Sequence, residues 1–171
     1  VAFDAFLHNR PSPPAGIATP PSYPPPQQWA GLAPSYAKNK DSGALEPVPP
    51  RADFGPRDHP PQGNGGLYST APDYARFCQM LLNGGTLDGN RIIGRKTLAF
   101  MASDHLGPDV EINGTLLSPG HSFGLGFCVR THEGMAPIAG SVGQFFWSGI
   151  AGTFFWIDPK EELFAVFMSQ G

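Results

Sequence analysis

Thr153-Phe154-Phe155-Trp156-Ile157-Asp158-Pro159-Lys160-Glu161-Glu162-Leu163-Phe164-Ala165-Val166-Phe167-Met168 holds two nearly continuous apolar runs, 153–157 and 163–168, joined by a short polar link. Both runs are rich in aromatic and β-branched residues, the composition of strands. Pro159 stands at the second position of the turn, where its fixed φ is favoured. So short a link permits only an antiparallel hairpin. Apolarity that does not alternate predicts strands covered on both faces, and hence helices on each side of the sheet.

Upstream, the hydrophobic period changes. Residues 122–130 alternate through Phe123, Leu125, Phe127 and Val129, which predicts one strand, and 138–147 predicts a second. Before them the pattern is helical. Thr70-Ala71-Pro72-Asp73 predicts a helix start, with Thr70 as cap, Pro72 in the first turn and Asp73 completing the capping box. Tyr74, Phe77, Cys78, Leu81 and Leu82 form one apolar stripe, and Asn83-Gly84-Gly85 stops the helix. The helix is expected over 71–83, and a second over 95–103 with Leu98 and Met101 facing inward.

The first third differs. Fifteen of the 20 prolines fall in residues 1–61. Pro11-Ser12-Pro13-Pro14 and Pro20-Pro21-Ser22-Tyr23-Pro24-Pro25-Pro26 are expected to be extended connections rather than helix or central strand, because proline lacks the donor N–H. Pro20-Pro21-Ser22-Tyr23 has the form that aromatic-lined recognition domains read, but a loop draped over a globular body is the simpler expectation. The chain therefore divides into 1–63, a proline-rich and mostly irregular connecting segment, and 64–171, the folded part.

The whole has 171 residues, 40% apolar, with 20 aromatics, enough for one packed domain. Only 15% are charged and the net charge is −3, which gives a polyanion no hold and argues against nucleic acid as partner. No apolar run approaches the length that spans a bilayer, so a membrane partner is not expected either. Cys78 and Cys128 sit in apolar runs and are read as small buried hydrophobes. The five histidines lack ligand spacing, so neither metal nor cofactor is expected.

Two serine motifs fail on context. Gly120-His121-Ser122-Phe123-Gly124 has the Gly-x-Ser-x-Gly form, but Pro119 precedes it and a β-type run follows, where a nucleophile elbow needs strand then helix. The only later histidine, His132, precedes Asp158, the reverse of the order that motif requires. Ser35-Tyr36-Ala37-Lys38 has the spacing that places serine and lysine on one helical turn. It follows Pro34 and lacks an apolar helical stripe, so both residues are read as solvated.

Gly65-Gly66-Leu67-Tyr68-Ser69-Thr70-Ala71-Pro72-Asp73-Tyr74-Ala75-Arg76-Phe77 resembles the signature of the β-lactamase-related serine hydrolases, the class C β-lactamase-like proteins and family VIII carboxylesterases. Leu81-Leu82-Asn83-Gly84-Gly85, Leu87-Asp88-Gly89, Phe123-Gly124-Leu125-Gly126-Phe127 and Trp147-Ser148-Gly149-Ile150-Ala151-Gly152-Thr153 continue the likeness in order. It covers the last two thirds of the chain, and the stretch 11–26 fits poorly. The resemblance implies an α/β (α+β) fold, part of the β-lactamase/transpeptidase-like fold, with an antiparallel sheet flanked by helices.

It also implies a site. In that family, a Ser-x-x-Lys element carries the acylated serine and a tyrosine element moves the proton. A Lys-Thr-Gly, Trp-x-Gly or His-x-Gly strand forms the third part. Trp147-Ser148-Gly149 matches the last in its esterase form, as substrate-binding residues, and the Ile150 backbone N–H would be half of an oxyanion hole. Both other elements are expected upstream of Val1. The resemblance thus implies the C-terminal portion of an ester or amide hydrolase, inactive without its missing N-terminal half. The alternative is a non-catalytic binding module derived from the same fold.

Overall fold

Proline at the head of a helix removes an N–H that has no intrahelical partner there, so it costs nothing in the first turn. The chain uses this twice. In the computed structural model, which describes residues 9, 12–17, 24, 26–48, 65–110, 114 and 117–170, Ser12–Ala15 forms a single helical turn, α1, holding Pro13 and Pro14. This corrects the expectation of an extended stretch at 12–14; residue 11 lies outside the described residues. The Gly16 N–H donates to Pro13 O (3.0 Å) and closes the turn. Residues 20–23 lie outside the described residues. A 3-10 segment follows at Pro26–Gly31. Then β1 (Ser35–Lys38) and β2 (Leu45–Val48) pair as an antiparallel hairpin, a regular element in a segment expected to be mostly irregular. Pro47 is tolerated because this two-stranded ribbon consists only of edge strands.

The second proline-headed helix is α2 (Ala71–Leu82), as the capping signal predicts. The Asp73 N–H donates to Thr70 Oγ1 (3.3 Å). At the other end Gly85 N–H reaches Met80 O and Gly84 N–H reaches Leu81 O, the paired bonds by which glycines close a helix. Cys78, Met80 and Leu81 are buried; Met80 lies outside the expected stripe, on a helix against which α1 and β3 (Thr86–Leu87) also pack. Asp88-Gly89, both with positive φ, turn β3 into β4 (Asn90–Arg91). Arg76 ties these pieces together, donating to Ala15 O (2.7 Å) and pairing with Asp88. Thr70→Ala removes the cap and should lower stability by about 1 kcal/mol, read from denaturant unfolding. An unchanged midpoint would show that the Thr70 hydroxyl does not hold the helix end.

Helix α3 (Arg95–Met101) buries Leu98 and leads into the main sheet. Its strands are β5 (His121–Phe123), β6 (Cys128–Arg130), β7 (Phe145–Ser148), β8 (Phe154–Asp158) and β9 (Leu163–Phe167), in sequential antiparallel order. The β8–β9 hairpin stands where the apolar runs place it, with Ile157 opposite Phe164.

The two upstream strands are corrected. Residues 122–130 form two strands and a turn, because a Cβ at Gly124 would overlap the Met101 carbonyl oxygen, and Leu125 N–H donates to that oxygen (2.8 Å). Gly124 N–H then closes on Phe127 O (2.8 Å). Residues 138–144 are loop rather than strand. Gln144 N–H donates to Ser141 O (3.0 Å) across a turn at Val142-Gly143, and pairing starts only at Phe145.

Helix α2 packs on β8 and β9. The core between them joins Cys78, Met80, Leu81, Val129, Phe145, Phe155 and Ile157, with the Tyr74 ring 5.3 Å from that of Phe155. Helix packing is found on this one face among the described residues. On the other, half-buried Phe146, Phe154 and Trp156 pack ring against ring, with centroids 5.5 and 6.0 Å apart. Among the described residues no helix is long and apolar enough to cross a membrane. Both cysteines are buried and unpaired. Burial pushes the Cys78 thiol up to about 12 and that of Cys128 to about 11, which suits inert core residues.

Candidate active site

Residues 149–153 join β7 to β8, with the three-residue loop Ile150-Ala151-Gly152 at the tip. Gly149 N–H donates to Thr153 O (2.8 Å) and Gly152 N–H to Gly149 O (3.0 Å). Gly152, at positive φ, completes the loop in the form common for hairpins of this length. A Cβ on Gly149 would overlap Thr153 Oγ1, so a side chain there would force the Thr153 hydroxyl to move. The Ser169 hydroxyl donates to Ala151 O (3.2 Å) and ties the loop to the chain after β9.

This geometry decides which groups point out. Ile150 stands fully exposed at the tip, and its backbone N–H has no acceptor among the described residues. Ser148 is exposed, opposite Phe154. Trp147 is half-buried, edge-on to Phe123 with centroids 5.0 Å apart, and packs against the core. Alternation along the strand therefore presents Ser148 and holds Trp147 from behind.

Neither serine motif becomes a nucleophile here. Ser35 and Lys38 lie on β1, where three residues of separation put side chains on opposite faces. The Ser35 hydroxyl donates to Gln170 Oε1 (3.4 Å). Ser122 is buried within β5, not at a strand-to-helix elbow, and its hydroxyl donates to the Asp104 carboxylate. That hydrogen bond, with those from Gly107 and Leu106 N–H, holds the Asp104 carboxyl below its usual range. A carboxylate so stabilised is a poor proton acceptor near neutrality. Among the described residues no group of three His, Cys, Asp or Glu is placed to hold a metal ion.

The sequence motif marks the four consecutive residues of the β7 end but not their supports, Phe123, Thr153 and Ser169. Thr153 closes the quoted motif, a signal that could have been used. Phe123 and Ser169 are brought to the loop only by tertiary pairing.

The Beta-lactamase family model matches residues 2–171. The chain belongs to the Beta-lactamase family. The matched span includes the proline-rich stretch that fits the quoted motifs poorly. Among curated proteins the chain is similar to Protein Rv1367c of Mycobacterium tuberculosis (strain ATCC 25618 / H37Rv). The two are 37% identical over 112 residues, 62% of this chain and 28% of that protein. Among solved structures it is similar to EstCE1, described as a hydrolase with promiscuous acyltransferase activity. There the TM-score is 0.78 at 21% identity, covering 97% of this chain and 45% of that one. Simvastatin synthase LovD from Aspergillus terreus, in its LovD6 mutant, gives 0.83 at 21% identity, covering 99% and 46%. These likenesses show the β-lactamase/transpeptidase-like fold. The chain spans under half the length of the solved structures and about a quarter of the curated relative.

Proposed function

We propose that this chain is the C-terminal portion of a serine hydrolase of carboxylesterase type, and that the β7–β8 loop is one wall of its active site. The observation that carries the reading is the Ile150 N–H, on a braced three-residue loop and without an acceptor among the described residues. A donor fixed in this way can meet the oxygen that gains charge when a serine attacks an ester carbonyl. Ser148 supplies a further hydroxyl beside it. The nucleophilic serine, its lysine and the proton-moving tyrosine are then contributed from outside residues 1–171. Covalent catalysis needs an activated nucleophile within reach of a base, and the surroundings of Ser35 and Ser122 give neither one.

Trp147 stands where the β-lactamase form of the motif has a lysine. The position therefore carries no cation to meet a substrate carboxylate, and the site favours neutral acyl esters over anionic β-lactams. The alternative, a non-catalytic binding module, rests on the same lack of an activated serine, and one assay separates the two. The chain alone, and a longer protein that includes it with a Ser-x-x-Lys element, are tested on a short-chain p-nitrophenyl ester and a chromogenic cephalosporin. We expect no turnover by the chain alone, and ester hydrolysis exceeding cephalosporin hydrolysis in the longer protein. Turnover by the chain that vanishes in Ser35→Ala or Ser122→Ala contradicts the reading; a longer protein inert on both substrates favours the module.

A further inference from the structure

Phe154 of β8 stands opposite Phe167 of β9. Counting on from that pair, past the end of β9, brings Ser169 level with Gly152. The two residues fit together there. A Cβ on Gly152 would come within 2.5 Å of Ser169 Oγ, so the hydroxyl fills the room that a side chain would take. From that seat it donates to Ala151 O (3.2 Å).

A peptide unit is planar, and in the trans form its C=O and N–H point in opposite directions and turn together. Two such units lie in series in the loop. The first holds Ala151 C=O, which accepts from Ser169, and Gly152 N–H, which donates to Gly149 O (3.0 Å). The second holds Gly149 C=O and, on its opposite side, the Ile150 N–H. An unbroken run of hydrogen bonds thus leads from the Ser169 hydroxyl through both units to Ile150 N–H. Every donor in it points the same way, so each bond polarises the next. Ala151 O has no other donor among the described residues. Without the hydroxyl, the first unit is held only at its N–H, and the orientation of the second loosens with it.

We propose that Ser169 is a positioning residue for the oxyanion donor, setting the direction and the strength of the Ile150 N–H through these two peptide units. The inference rests on the role proposed above for that N–H. Ser169 itself touches no substrate. The N–H interacts most strongly with the reacting oxygen when that oxygen carries charge, so Ser169 acts on turnover rather than on substrate binding.

The test uses the longer, active protein with a short-chain p-nitrophenyl ester. Ser169 is half-buried beyond the end of β9, so its truncation is expected to leave the fold intact. We expect Ser169→Ala to lower kcat about 3–10-fold with KM little changed, under the roughly 10²–10³ that a direct donor supplies. Ser169→Thr retains the hydroxyl and should restore most of kcat. A trifluoromethyl ketone, whose serine adduct carries a charged oxygen, should bind Ser169→Ala more weakly by the factor that kcat/KM falls. A mere loss of folded protein would leave that inhibition constant unchanged. In a protein already carrying Ile150→Pro, Ser169→Ala should add no further loss, because the run then has no N–H to end on. Unaltered kcat and inhibition constant in Ser169→Ala, or an equal further loss in the Ile150→Pro background, overturn the role of Ser169. Either result leaves the oxyanion reading standing, which falls instead if Ile150→Pro alone keeps full turnover.

Discussion

Ile150→Pro should lower turnover by about 10²–10³-fold in the active protein, while Ile150→Ala keeps most of it. The proposed role lies in the backbone N–H, which alanine retains and proline lacks. The side chain projects fully into solvent, so its truncation leaves no cavity. The turn also favours a clean comparison. Gly149 O accepts from Gly152 N–H, which makes Ile150 the second residue of the turn, where proline's fixed φ is preferred. The Ile150→Pro protein is therefore expected to keep its thermal transition. Full turnover in that folded variant would place the oxyanion donor elsewhere.

Ile157→Ala should cost about 2–5 kcal/mol of stability, measured by denaturant unfolding. Ile157 is 0% exposed, sits on β8 with a paired strand on each side, and faces Phe145 on one neighbour and Phe164 on the other. Its removal leaves a void bounded by aromatic rings and by α2, which cannot close without moving paired strands. The same isoleucine-to-alanine change at Ile150, seven residues earlier, should be close to neutral for stability. A loss below about 1 kcal/mol at Ile157 would mean that the core lies elsewhere than between α2 and the β8–β9 hairpin.

The elements legible in the sequence are those decided by local chemistry. Thr70, Pro72 and Gly84-Gly85 mark both ends of α2, and Pro159 forces the β8–β9 hairpin. Where a distant group intervenes, local pattern misleads. The alternation over 122–130 reads as one strand, yet Gly124 is bent by the Met101 carbonyl, which α3 delivers. Residues 138–147 read as one strand, because Phe145, Phe146 and Trp147 enrich it in strand formers, but 138–144 turn instead at Val142-Gly143. The Ser12–Ala15 turn escaped because its two prolines sit in the one part of a helix that accepts them. At the site, periodicity alone points to nothing: Trp147 and its neighbours read as an ordinary strand end, and only the likeness to a family singles them out. The burial of Arg130, opposite His121, is invisible in sequence, where an arginine after Val129 reads as a solvated strand end.

On the proposed function, this part of the protein builds a wall of the site and not its nucleophile. A fluorophosphonate that reacts covalently with activated serines, followed by peptide mapping of the labelled active protein, tests it most directly. One labelled serine is expected, in a Ser-x-x-Lys peptide outside residues 1–171, with Ser35 and Ser122 unmodified. A label on either of those two serines would contradict it.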